Sequence, residues 1–129
     1  MCLSADVCAA YDPNFANAYE KNNSAIVGCG VGVCKYTGAR GKSDTNDATG
    51  EYTAKIAHIF DSANVVWQMC EMGKVDFGGG GTVAKYIAER NIDTIDAGVP
   101  VISMHAPYEV VSKADVYNMH KATKAFYEK

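Results

Sequence analysis

Val99-Pro100-Val101-Ile102-Ser103-Met104-His105-Ala106-Pro107 reads as an apolar strand that ends on a histidine, with a proline on either side. Backbone just past a buried strand is rigid, so a histidine there can serve as a metal ligand. It can equally hydrogen-bond a loop carbonyl, and one histidine without partners names no metal. The fold around it is read from the periodicity of the flanking chain.

Residues 3–7 read as a short strand that opens almost at Met1, the mark of a chain starting inside a larger unit. Residues 10–24 carry Asp12-Pro13-Asn14, Asn17, Asn22 and Asn23, a polar connection with room for a helical turn. Residues 25–36 interleave Gly28, Gly30 and Gly32 with Cys29, Val31 and Val33, as a glycine-laced strand or pair of strands would. Residues 38–50 are the most polar stretch and are expected to form a surface loop. From Thr49 or Glu51 the period changes, and Tyr52, Ile56, Ile59, Phe60 and Ala63 recur at helical spacing. Residues 65–72 (VVWQMCEM) then predict a buried strand.

Gly78-Gly79-Gly80-Gly81-Thr82 leads into a second helix whose inner face is expected to hold Val83, Tyr86 and Ile87. Residues 92–96 read as a short strand or connector, separate from the strand at 101–103. A last helix is marked by Val116, Met119, His120, Thr123, Phe126 and Tyr127. Strand and helix alternate throughout. That predicts an α/β fold, a layered sheet with helices on its faces and at least partly parallel strands, in one piece over residues 1–129.

The bulk composition excludes several functions. The chain has 129 residues, 48% hydrophobic and 21% charged, with a net charge of -3. These values are ordinary for a globular domain. No basic stripe offers itself to a phosphate backbone, so nucleic acid is not an expected partner. No apolar run is long enough to span a bilayer, and the first residues lack the pattern of a signal peptide. The five cysteines are odd in number and contain no Cys-x-x-Cys pair. They read as reduced, buried, small hydrophobic residues of a cytoplasmic protein.

Three familiar motifs fail on inspection. After Gly28 and Gly30, the third glycine of a dinucleotide fingerprint would fall at Val33. Gly41-Lys42-Ser43 resembles the end of a phosphate loop, but Tyr36 stands where its first glycine belongs. Thr49 stands at the glycine position of a calcium loop. The tetraglycine run is left open between a tight turn and a bare helix entry that holds an anion. Asp6, at the end of the first strand, and His105, past a later one, would meet in one crevice of a parallel-type sheet and can there ligate zinc. A turn or cap role for Asp6 is the alternative. Lys35 ends a strand beside that crevice and offers a cation, or is a solvated edge lysine. His58 and His120 fall near the apolar boundary of helices and are expected to pack.

Several ordered motifs resemble the zinc aminopeptidases related to aspartyl aminopeptidase and yeast aminopeptidase I. They are Leu3-Ser4-Ala5-Asp6-Val7 with Asp12-Pro13-Asn14, Lys35-Tyr36-Thr37-Gly38 with Gly41-Lys42, and Gly73-Lys74-Val75-Asp76. The fullest match joins Gly78-Gly79-Gly80-Gly81-Thr82-Val83-Ala84-Lys85 to Gly98 through Glu109. The resemblance implies the C-terminal part of a phosphorylase/hydrolase-like catalytic domain with a co-catalytic two-zinc site, other divalent metals being alternatives. It implies Asp6 and His105 as ligands of different zincs and Lys35 as a substrate contact.

Aspartate-specific members carry a histidine three residues after the aspartate ligand, where this chain has Ala9. A strict preference for acidic N-terminal residues is therefore not expected. The remaining ligands, the glutamate general base and a dimerisation domain lie upstream in that family. The expectation is a cytoplasmic metalloaminopeptidase (a hydrolase cleaving N-terminal residues from peptides) of which this chain is a fragment, inactive without the upstream part. Homo-oligomers, dodecameric in the family, are implied as well. The contrasting expectation is a non-catalytic interaction or assembly module left from such an enzyme.

Overall fold

A computed structural model describes residues 1–39, 43–74, 77 and 80–129. Gly41-Lys42, Val75-Asp76 and Gly78-Gly79, quoted above for motifs, lie outside the described residues. The main sheet has the order β1-β6-β2-β5, with β7 paired to β6 beyond β2. These strands are β1 (Cys2–Ala9), β2 (Val31–Cys34), β5 (Trp67–Met69), β6 (Thr94–Ile102) and β7 (Val110–Val111). β1 runs parallel to β6, and β2 parallel to β5, while β2 and β6 are antiparallel. A second, two-stranded sheet joins β3 (Tyr36–Ala39) to β4 (Ser43–Asp47).

Alternation along the strands divides two faces. Leu3, Val31, Val33, Ile95 and Ala97 point to one face, where they meet Tyr52, Ile56, Ile59 and Phe60 of α1 (Gly50–Ser62). Ala122 and Ala125 of α3 (Lys113–Tyr127) complete that core. Cys8 and Cys34 point to the other face and pack with Ala25, Cys70 and Met72. There the short α2 (Ala84–Ala88) rests on β1, β4 and β6. The α/β architecture with helices on both faces is the predicted one.

Local chemistry explains the helix bounds. Thr49 caps α1 by accepting from Tyr52 N at 3.2 Å, and its apolar residues fall three and four apart. The helix ends where Asn64 takes φ 53°, the left-handed turn that closes helices.

Several expectations are corrected. The polar stretch at 38–50 is not a loop throughout: β3 and β4 pair there, and Thr37 and Asn46 are buried. Asn46 Nδ2 donates to Thr94 O, so its polarity serves an internal bond. Residues 65–72 supply only the three-residue edge strand β5, with Met69 44% exposed. Residues 92–96 and 101–103 belong to one nine-residue strand. Pro100 interrupts it harmlessly. Asp93 O and Val101 O accept from β1, so odd positions of β6 bond β1 and even ones face the opposite side. Pro100 therefore faces the interval after β2's last partner, Gly98, and before β7's first, Val101. On α2 only Ala84 is buried, whereas Val83 and Tyr86 are exposed. On α3 Val116 and Tyr127 are exposed, and Asp115 is fully buried.

Candidate functional site

A pocket of about 510 Å³ opens at the carboxyl ends of β1 and β6. Asp6 and His105 both line it, together with Gly80 and Gly81 of the glycine run. Because β1 and β6 are parallel, their carboxyl ends project side chains to the same end of the sheet. The rest of the wall is largely apolar, from Val7, Ala9, Tyr19, Met72 and Met104.

Asp6 is exposed, and its Oδ1 accepts from Val7 N at 2.8 Å. Cys2 N and Ala10 N donate to Asp93 O and Val101 O, so even-numbered amides of β1 face β6. Val7 N therefore faces the open side of this edge strand, and Asp6 satisfies it. The second carboxylate oxygen remains available to a ligand. His105 has φ 67° and follows Ser103 at φ 62°. Left-handed backbone at two nearby non-glycine residues is strained, costing about 1 kcal/mol or more each, and such strain concentrates at functional sites. The turn is held by Ala106 N donating to Ser103 O and by His105 N donating to Glu109 Oε1 at 2.6 Å.

The glycine run reaches the pocket through Gly80 and Gly81. It opens onto a helix of five residues, too short to build the dipole that the anion-holding entry requires. Its anchor is Thr82, whose Oγ1 accepts from Ala84 N and donates to Asp96 Oδ2 at 2.9 Å. Asp96 is buried on β6, and burial raises its carboxyl pKa. The hydrogen bond from Thr82 offsets part of that, and the Asp6 charge adds to it. Ser4 Oγ, Thr37 Oγ1 and Asp96 Oδ1 are buried and have no hydrogen-bond partner among the described residues.

Lys35 is not among the residues lining the pocket. β2 runs against β1 and β6, so its carboxyl end lies level with Asp96, away from His105. The Lys35 ammonium is paired with the Asp47 carboxylate. His58 and His120 are exposed rather than packed. Sequence reasoning missed Asp96, Tyr19 and the two pocket methionines. A threonine directly after the glycines was the only signal, as a helix-entry residue that seeks a partner.

An aspartate and a histidine on one pocket are donors that zinc accepts. Among the described residues, no group of three His, Cys, Asp or Glu side chains is placed to hold a metal ion. Zinc takes about four donors, so the fit within these residues is partial.

Three comparisons bear on this geometry. The sequence matches the family described as aminopeptidase I zinc metalloprotease (M18) over residues 1–127. It is 52% identical over 124 residues to a probable M18 family aminopeptidase 1 of Clostridium acetobutylicum, covering 96% of this chain and 27% of that protein. The crystal structure of aminopeptidase I from that organism superposes with a TM-score of 0.91 at 52% identity, over 96% of this chain and 27% of that one. The aspartyl aminopeptidase 4 of Saccharomyces cerevisiae is 32% identical over 128 residues, 98% of this chain and 25% of that protein. A Saccharomyces cerevisiae mApe1 dodecamer has a TM-score of 0.74 at 24% identity, over 98% of this chain and 26% of that one, a likeness of fold alone. The chain thus spans 27% of the length of the Clostridium relative.

Proposed function

This chain belongs to the aminopeptidase I family of zinc metalloproteases (M18), and we propose that it is the C-terminal portion of a metalloaminopeptidase that removes N-terminal residues from peptides. The observation that carries the reading is the meeting of Asp6 and His105 on one pocket. In this reading they are ligands of a two-zinc site whose other donors come from an upstream part of the enzyme. Zinc bound there would activate a water and polarise the scissile carbonyl.

The chain's own residues do the rest of what is proposed. The strained turn at His105 fixes the direction of its imidazole, and the Asp6 carboxylate is oriented by Val7 N. The apolar wall at Val7, Ala9 and Met72 receives an uncharged N-terminal side chain in preference to an acidic one. Lys35 contacts substrate in this reading, which rests on its motif and requires it to exchange Asp47 for the peptide. The setting is cytoplasmic and the assembly a homo-oligomer, with the 129-residue chain inactive by itself.

A second reading is a non-catalytic assembly module, favoured by the partial donor set. Calorimetric titration of the chain with zinc separates the two. Saturable binding that disappears in both His105→Ala and Asp6→Ala supports the metal site. No heat from a chain that circular dichroism shows to be folded moves the assembly module ahead.

A further inference from the structure

Three thiols converge on the face of the sheet that carries α2, and the proposed peptidase chemistry uses none of them. Cys8, Cys34 and Cys70 come from three separate segments and are each buried. Cys34 Sγ and Cys70 Sγ lie 3.3 Å apart. Their backbones are direct neighbours across the sheet. β2 and β5 are parallel with Val33 opposite Met69, and Cys70 N donates to Val33 O at 3.0 Å, so the next pair in register is Cys34 and Cys70. Adjacent parallel positions with facing side chains bring Cα atoms within the span a disulfide bridges.

Room for the cluster is left by Gly32. A Cβ there would meet Cys8 Sγ at 2.4 Å and Cys70 Sγ at 2.9 Å. Cys70, though only 3% exposed, borders a separate surface cavity of about 250 Å³ with Asn22, Asn23, Met69 and Glu71. Cys29, by contrast, is exposed and has no thiol beside it among the described residues.

We infer that Cys34 and Cys70 are a thiol modification site, which small-molecule disulfides of the glutathione type convert to a cross-strand disulfide. Cys70 loses its proton to solvent as it attacks one sulfur of the small disulfide, forms a mixed disulfide and releases one thiolate, which takes up a proton. Cys34 then attacks the Cys70 sulfur, loses its proton to solvent and expels the second thiolate. Two protein thiols are oxidised and one small disulfide is reduced to two thiols.

Cys8 is the third member of the cluster and takes no part in the exchange. The product ties β5, a three-residue edge strand, to the middle of the sheet.

The test is oxidation of the folded Cys29→Ser chain with oxidised glutathione, followed by alkylation, tryptic digestion and mass spectrometry. The expected product joins the peptide containing Cys34 to the peptide containing Cys70. It is abolished in Cys34→Ala and Cys70→Ala, and is accompanied by a rise in Tm that dithiothreitol reverses. The same treatment of the chain with Cys29 intact should load that exposed thiol with glutathione, which proves the oxidant active. A loaded Cys29 without any Cys34–Cys70 product overturns the inference. So does a crosslink that uses Cys8 in place of either.

Discussion

Asp115 shows how a polar residue becomes part of a core. It is fully buried at the start of α3, and its two oxygens accept from Gly28 N at 2.7 Å and Gly30 N at 2.8 Å. Both glycines have positive φ, so the turn into β2 leaves amides that only an outside acceptor can satisfy. Asparagine would present one oxygen and turn its NH2 against the other amide. Asp115→Asn should therefore lose about 2–3 kcal/mol in urea unfolding, the cost of an orphaned buried donor. Tyr52 makes a pH prediction at the same scale. Burial, with smaller contributions from Cys2 and Asp93, pushes its phenol up to about 12, although its OH donates to Cys2 O at 2.8 Å. The folded value is above the unfolded one, so the stability it brings is intact below about pH 10 and is lost between about 10 and 12. Tyr52→Phe should flatten that decline. For Asp96 the sign also follows from a raised value. A carboxyl held above its unfolded pKa costs stability as pH rises through it, so Asp96→Asn should be relatively more stable at pH 7 than at pH 3, measured by paired denaturation curves.

At the scale of elements, one point of close packing lies where β6 passes the strand carrying Asp6. A Cβ at Gly98 would stand 2.4 Å from Asp6 O and 2.8 Å from Val7 C, both backbone atoms that cannot swing aside. Gly98→Ala should push β1 away from β6 locally, at a cost of about 1–3 kcal/mol. If the pocket holds zinc as proposed, the same variant weakens zinc binding about tenfold or more, because an ångström of misplacement at a ligand is costly. Unchanged affinity would separate Asp6 from the metal. Elements with strong periodicity were legible in the sequence: α1 follows its apolar spacing and its Thr49 cap, and β1 follows its short run. Others were not. The β3–β4 hairpin hides in polar residues because Asn46 spends its amide on Thr94 O. The C-terminal helix was read by its large residues, yet Ala122, Ala125 and Asp115 face inward, since small residues let the helix approach the sheet. Asp6 and His105 were legible as candidate residues, although Asp6 stands inside β1 rather than at its end, because the strand runs on to Ala9. Thr82–Asp96 was not, because the two are 14 residues apart and joined only by the fold.

For the whole molecule, the relevant feature is an edge. β1 is eight residues long, stands at the end of the sheet, and has Ala5, Asp6 and Val7 exposed at its centre. A long open edge of small and apolar residues is a template for another strand. Asp6, one of the two candidate zinc donors, uses Oδ1 to quiet an amide on that edge. A segment pairing with β1 would take over Val7 N and free both carboxylate oxygens for metal, so docking and ligation would support each other. Edge pairing alone rarely holds two chains together, and a stable complex needs about 1,000 Å² or more of buried surface. The apolar pocket rim at Val7 and Val83 would contribute to it. The prediction is that this chain, co-expressed with the part of the Clostridium acetobutylicum relative that the match leaves uncovered, co-purifies with it. The pair should then release N-terminal residues from a peptide in a zinc-dependent way, with rates at least a hundredfold lower in His105→Ala. Either half alone should be inert. Co-purification with no activity in any metal would identify the chain as an assembly module, and independent migration of the two halves would remove the upstream part as its partner.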